Sequence, residues 1–116
     1  EVLPRLAELG FKRILTSGRE PSAPLGSEMI KRCVEVGAVE VLAGGGVRAG
    51  NVQELIQSTG CWQVHFSCHM KQSDTSVRGA KLSFGIPNLP EDENFSIIDT
   101  ERLADLVRLI RTLPIC

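Results

Sequence analysis

The run His65-Phe66-Ser67-Cys68-His69-Met70 packs two imidazoles, a thiol and a thioether into six residues. Soft sulfur and imidazole donors suit Cu(I), so His65, Cys68, His69 and Met70 are candidate metal ligands. A strand, however, sends residues 65 and 68 to opposite faces unless the chain turns at 67 or 68. On that reading the clustering is coincidental. His65 alone could act as base, ligand or hydrogen-bond donor, roles that imidazole chemistry allows. The competing role is a core histidine satisfied by a neighbour such as Ser17. Spacing places no Asp or Glu to orient it, so a Ser-His-Asp triad is not supported.

A second candidate is Gly44-Gly45-Gly46, between an expected strand end and an expected helix start. Glycines there let backbone N–H groups approach an anion, and the following helix adds a favourable dipole. The alternative is a tight turn into which no side chain fits. Thr16-Ser17-Gly18 holds the equivalent place one unit earlier. Ser17, His65 and Ser67 are expected on one face, where two hydroxyls and an imidazole could orient a small polar ligand. Serine and threonine could instead simply turn the following loop. The expected anion-binding set is Ser17, Gly18, Gly44, Gly45, Gly46 and Ser67.

Three strand-like runs must position these groups. They are Gly10–Gly18, Gly37–Gly45 and Gly60–Cys68, each opening on glycine and each preceded by a helical pattern. Their starts lie 27 and 23 residues apart, a spacing that suits βα units and is too long for hairpins. The helical stripes are Met29, Ile30, Cys33 and Val34, then Val52, Leu55, Ile56 and Thr59, then Leu103, Leu106, Val107, Ile110 and Leu113. Gly37 should stop the first of these, and Asn51 with Glu54 has capping-box spacing for the second. Asp99 or Thr100 should cap the last. Val2, Leu3, Leu6 and Ala7 suggest an opening helix, with Pro4 tolerable in its first turn. The order is α, β, α, β, α, β, loop, α, which implies parallel strands.

Alternation along the strands sorts side chains by face. Ile14, Thr16, Val41, Ala43, Val64 and Phe66 form an apolar set expected under the helices. Arg13, Leu15, Ser17, Glu40, Leu42, Gly44, Gln63, His65 and Ser67 form a mixed set that would point into a barrel. Three parallel strands cannot close a barrel and leave two edges bare. Either the chain belongs to a larger closed fold or partner chains cover the edges, and a homo-oligomer is expected.

Composition narrows the partners. The chain has 116 residues, enough for one domain and too few for two. Lys+Arg 13 against Asp+Glu 14 lacks the basic excess of a general nucleic-acid or anionic-membrane binder. No apolar run reaches the ~20 residues of a membrane span. No signal peptide is read at Glu1-Val2-Leu3-Pro4, so a cytoplasmic place is expected, with the nucleus also open. The four cysteines form no CxxC pair and are expected reduced. Cys33 reads as core. Residues 71–95, rich in Ser, Pro and charge, are expected as a mobile loop able to act as a lid, with Glu91-Asp92-Glu93 solvated.

Arg13-Ile14-Leu15-Thr16-Ser17-Gly18, then Ala43-Gly44-Gly45-Gly46-Val47 with Asn51-Val52, then Val64-His65-Phe66-Ser67 resemble the CutC family, named for copper homeostasis. The resemblance runs from about Leu9 to Gly85 and more loosely over the final helix. It implies a (β/α)₈ TIM-like barrel of which this chain, residues 1–116, holds the last three βα units. The chain then resembles the incomplete C-terminal portion of a CutC-type barrel, a fragment or a truncated product. It also implies copper homeostasis, with copper ion as the partner bound or handled. Ala43 stands where the family usually has Pro, and Cys68-His69 where it commonly has Ala-Arg. Only Arg78 and Ser83-Phe84-Gly85 echo the family's later pattern. A different class of function is an enzyme on a small phosphorylated or anionic substrate, with His65 as acid or base and Gly44–Gly46 as the anion site.

Overall fold

The computed structural model describes residues 2–73 and 94–114. Its elements are α1 (Val2–Glu8), β1 (Arg13–Thr16), α2 (Ser27–Val36), β2 (Glu40–Gly44), α3 (Val52–Thr59), β3 (Gln63–His65), β4 (His69–Ser73), β5 (Asn94–Ile98) and α4 (Thr100–Thr112). Gly37 and Gly60 stop α2 and α3 in the left-handed conformation, at φ 64° and 68°, and return their N–H groups to Val34 and Ile56. A glycine adopts that conformation without steric cost, so each helix ends where the next strand must begin. Asp99 caps α4 by accepting the Arg102 N–H at 3.0 Å.

β1, β2 and β3 form one parallel sheet in that order, as the βα rhythm predicts. Arg13 pairs with Glu40 and Ile14 with Val41, in step with the aligned glycines. Between β2 and β3 the register moves by two residues, so Leu42 faces Gln63 and Gly44 faces His65. A shift of two preserves every side chain's face, because the strand period is two. Val41 and Ala43 are buried, and Ile14, Val64 and Phe66 pack against the same core with Ile30, Val52, Leu55 and Leu106. Each fully buried aliphatic side chain there contributes about 1.5–3 kcal/mol relative to exposure. The core thus lies wholly on the helix side of the sheet.

The other face carries the mixed set and is open. Leu15 is 58% exposed, and His65 is exposed beyond it. At the strand starts, Arg13 Nη2 and Nε hold Glu40 Oε2 at 2.6 and 2.9 Å, and Gln63 Nε2 reaches the same oxygen at 3.2 Å. The Gln63 amide, then the Arg13 guanidinium, hold the Glu40 carboxyl below the usual carboxylate range.

Two features depart from the sequence expectation. The loop after β3 is not wholly irregular: β4 and β5 pair antiparallel, His69 with Ile98 through Ser73 with Asn94. The connecting segment 74–93 lies outside the described residues, and with it Arg78, Ser83-Phe84-Gly85 and Glu91-Asp92-Glu93. The capping box also fails at its first residue. Asn51 stands at the N-cap of α3, but its side chain makes no cap hydrogen bond. Its oxygen accepts the Arg48 N–H at 2.9 Å and its amide donates to the Gly46 carbonyl at 2.9 Å. An Asn side chain offers one carbonyl oxygen, and the glycine loop takes it.

Gly18 and Gly26 cross in contact. A Cβ on Gly26 would meet the Ser17 carbonyl oxygen at 1.9 Å, while one on Gly50 would meet nothing within 4 Å. Gly26→Ala is therefore expected to cost at least about 2 kcal/mol in urea unfolding, and Gly50→Ala to stay within about 0.5 kcal/mol. The Glu40 carboxyl gives a second test. Because its folded pKa is lowered, its stabilising effect is present above the ordinary carboxylate pKa and is lost as pH falls through the lowered value. Carboxyl NMR titration should show Gln63→Ala raising the Glu40 pKa toward the ordinary range.

Candidate functional site

The carboxyl ends of β1, β2 and β3 open on a groove of about 650 Å³ on the uncovered face. Leu15 and Ser17 line it from the first unit, Gly44, Gly45, Gly46 and Arg48 from the second, and His65 and Ser67 from the third. Alternation along the strands brings Leu15, Gly44 and His65 to this face, and the loops that follow the strands supply the rest. Gly44 is fixed by its neighbours: a Cβ would fall 2.6 Å from Leu15 Cδ1 and 3.2 Å from His65 Cβ.

The two loops of the groove are stitched together. Ala23 N–H donates to the Gly45 carbonyl at 2.8 Å. A Cβ on Gly45 would lie 3.4 Å from Ser17 Cβ, and one on Gly46 would lie 3.1 Å from Ser22 Cβ. Gly45 and Gly46 have φ 100° and 67°, which side chains rarely adopt. The turn requires glycine on steric grounds, and it leaves donors as well. No hydrogen bond among the described residues uses the Gly46 or Val47 N–H.

The hydroxyls of the first loop do local work. Ser17 Oγ donates to the Glu20 carbonyl at 2.7 Å, and Thr16 Oγ1 accepts the Gly18 N–H at 3.0 Å. Ser17 still lines the groove, and its oxygen keeps acceptor capacity. Gly18 is buried at the crossing with Gly26. Ser67 is exposed and lines this groove and a second cavity.

The soft donors divide between the faces. His65 stands on the open face, whereas Cys68 is half-buried and packs against the core. Chain alternation continues past β3 and keeps them apart. Cys68 and His69 share the second cavity, of about 340 Å³, with Val47, Arg48, Ser67 and Arg102. Met70 is exposed on β4 and does not line either cavity. Among the described residues, no three or more His, Cys, Asp or Glu side chains stand together as a metal site.

Sequence reasoning missed two residues of the groove, Arg48 and Arg102. Arg48 stands two residues after Gly46, and that spacing could have drawn attention. Arg102 could not have been found from spacing. The β4–β5 pairing sets Ile98 against His69, and Asp99 N–H then donates to the Cys68 carbonyl at 2.7 Å. That bond brings the first turn of α4 to the mouth. Among the described residues lining this groove there is no carboxylate, and its charged side chains are Arg48 and Arg102; Asp99 Oδ2 stands 3.5 Å from Arg102 Nε and offsets part of that charge.

A CutC family protein from Treponema denticola is 29% identical over 93% of this chain and 45% of its own length. A human protein named copper homeostasis protein cutC homolog is 28% identical over 96% of this chain and 42% of its own length. A solved CutC structure from Streptococcus agalactiae is 39% identical over 54% of this chain and 32% of that one, with a TM-score of 0.49. The chain spans about half the length of the curated relatives it matches. The sequence pattern of the CutC family matches residues 1–70, three-fifths of the chain and all three strands of the parallel sheet, and the chain belongs to the CutC family.

Proposed function

We propose that the chain acts in copper homeostasis as part of a CutC-type protein, binding or handling copper ions in the cell. The observation that carries this reading is its membership of the family across β1, β2 and β3. The human relative's name, copper homeostasis protein cutC homolog, supports it. The parallel order, the open mixed face and the bare outer edges of β1 and β3 among the described residues suit the last three units of a (β/α)₈ barrel. A second copy pairing on those edges is the other way to cover them, and a homo-oligomer follows. Among the described residues no helix is long and apolar enough to cross a membrane, and the cytoplasm, with the nucleus also open, is the proposed place.

Copper is cargo here. Cys68 and His69 share one cavity, His65 looks onto the adjoining groove, and Met70 follows on β4. Thiol and imidazole donors favour Cu(I) over hard cations, and Met70 stands next in the chain outside both cavities. A thermal melt of the full chain under reducing conditions, with and without one equivalent of Cu(I), tests this. The melting temperature should rise by several degrees, and Cys68→Ser should remove most of the rise, with His65→Ala reporting the contribution of the groove. A ligand at a hundredfold excess over Kd stabilises the native state by about 2.7 kcal/mol. A melt indifferent to copper rejects a copper site in this chain.

A second reading has its own observation. The groove offers Arg48, Arg102, His65, two serine hydroxyls and backbone N–H groups, with no carboxylate among the described lining residues. That field suits a small phosphorylated or anionic substrate, held at Gly44–Gly46 with His65 as acid or base. Sugar phosphates should then raise the melting temperature where copper does not, and His65→Ala should keep that rise while removing turnover. Equal melting with and without every sugar phosphate tried would reject it.

A further inference from the structure

We propose that Arg48 and Arg102 form a two-guanidinium clamp for a phosphoryl dianion where the two cavities meet. The inference rests on the anionic-ligand reading above, and it names the group bound and the side chains that select it. The cavities share four of their lining residues, Val47, Arg48, Ser67 and Arg102, so they are compartments of one groove. The shared residues place Arg48, Arg102, Ser67 and Val47 on the lining common to both compartments.

Both arginines are exposed, and the described contacts of their guanidiniums are made at Nε. Arg48 Nε makes only a 3.5 Å contact with the Gly46 carbonyl. Arg102 Nε lies 3.5 Å from Asp99 Oδ2, while Asp99 Oδ1 accepts the Arg102 backbone N–H. Both contacts involve Nε and leave the Nη groups free of described protein partners, while Asp99 offsets part of the Arg102 charge. Asp105 lines one compartment, but Arg108 Nη1 holds its Oδ1 at 3.0 Å and offsets its charge.

Two forks from different elements favour a phosphoryl group over a carboxylate. Each guanidinium donates in parallel pairs, and a tetrahedral phosphoryl group presents three terminal oxygens. A carboxylate has two coplanar oxygens, which a single fork satisfies. The second arginine therefore adds little for a carboxylate and much for a dianion. The remainder of a phosphate ester would extend along the open face toward Ser17 and His65.

Isothermal titration of the full chain at constant ionic strength tests the clamp, using inorganic phosphate, a sugar phosphate and acetate. Both phosphates should bind, acetate should not, and Arg48→Gln or Arg102→Gln should each weaken phosphate by about tenfold. The Arg102 side chain is 75% exposed and Arg48 is exposed, so both variants should keep the wild-type circular dichroism. Equal phosphate binding in wild type and both variants overturns the clamp while the anionic-ligand reading stands. Acetate binding as tight as phosphate overturns the dianion preference. No binding of any of the three anions overturns the anionic-ligand reading and the clamp together. A sugar phosphate tighter than phosphate upholds the clamp with an ester as ligand, and equal affinities uphold it with free phosphate.

Discussion

Side-chain alternation along three parallel strands constrains everything else in this molecule. Each strand must present Ile14, Val41, Ala43 or Val64 to the helices, and the residues between them have nowhere to go but the open face. Leu15, Gly44 and His65 are carried to the groove by that choice. A one-residue slip of any strand would bury Arg13, Glu40 or His65 and expose the core, so the apolar face fixes the position of the polar one. The two-residue shift between β2 and β3 is permitted for the same reason, and it places His65 directly against Gly44.

Close backbone approach is the second constraint. Gly18 and Gly26 cross where neither could carry a Cβ, and Gly45 and Gly46 lie against Ser17 and Ser22. The first two strand-end loops are thus a single packed unit. Asn51 completes it by bridging the Arg48 N–H and the Gly46 carbonyl instead of capping its helix. The third side of the mouth has another origin. The antiparallel β4–β5 ribbon and the Asp99–Cys68 bond hold the start of α4 there, while Leu106 anchors the same helix in the core.

Much of this was legible in the sequence because it is periodic or local. The division of faces followed from a period of two, the helix stripes from 3.6, and the stop at Gly37 from residue type. The separation of His65 from Cys68 also followed from alternation and holds here. What could not be read depends on long-range pairing or on competition between partners. Arg102 reaches the groove only through a pairing between segments about 25 residues apart, for which no local pattern gives a sign. Asn51 had two sets of partners within reach, and capping-box spacing described only one of them.

Both proposals, copper and a phosphoryl group, place the ligand at the carboxyl ends of the three strands. Amide chemical-shift mapping of the isotope-labelled chain, titrated separately with Cu(I) and with phosphate, tests that placement most directly. Perturbations should gather at Gly44–Arg48 and His65–His69, with phosphate also moving Arg102 and Cu(I) weighted toward Cys68 and His69. Shifts concentrated at the strand starts around Arg13, Glu40 and Gln63, or spread evenly over the helices, would contradict it.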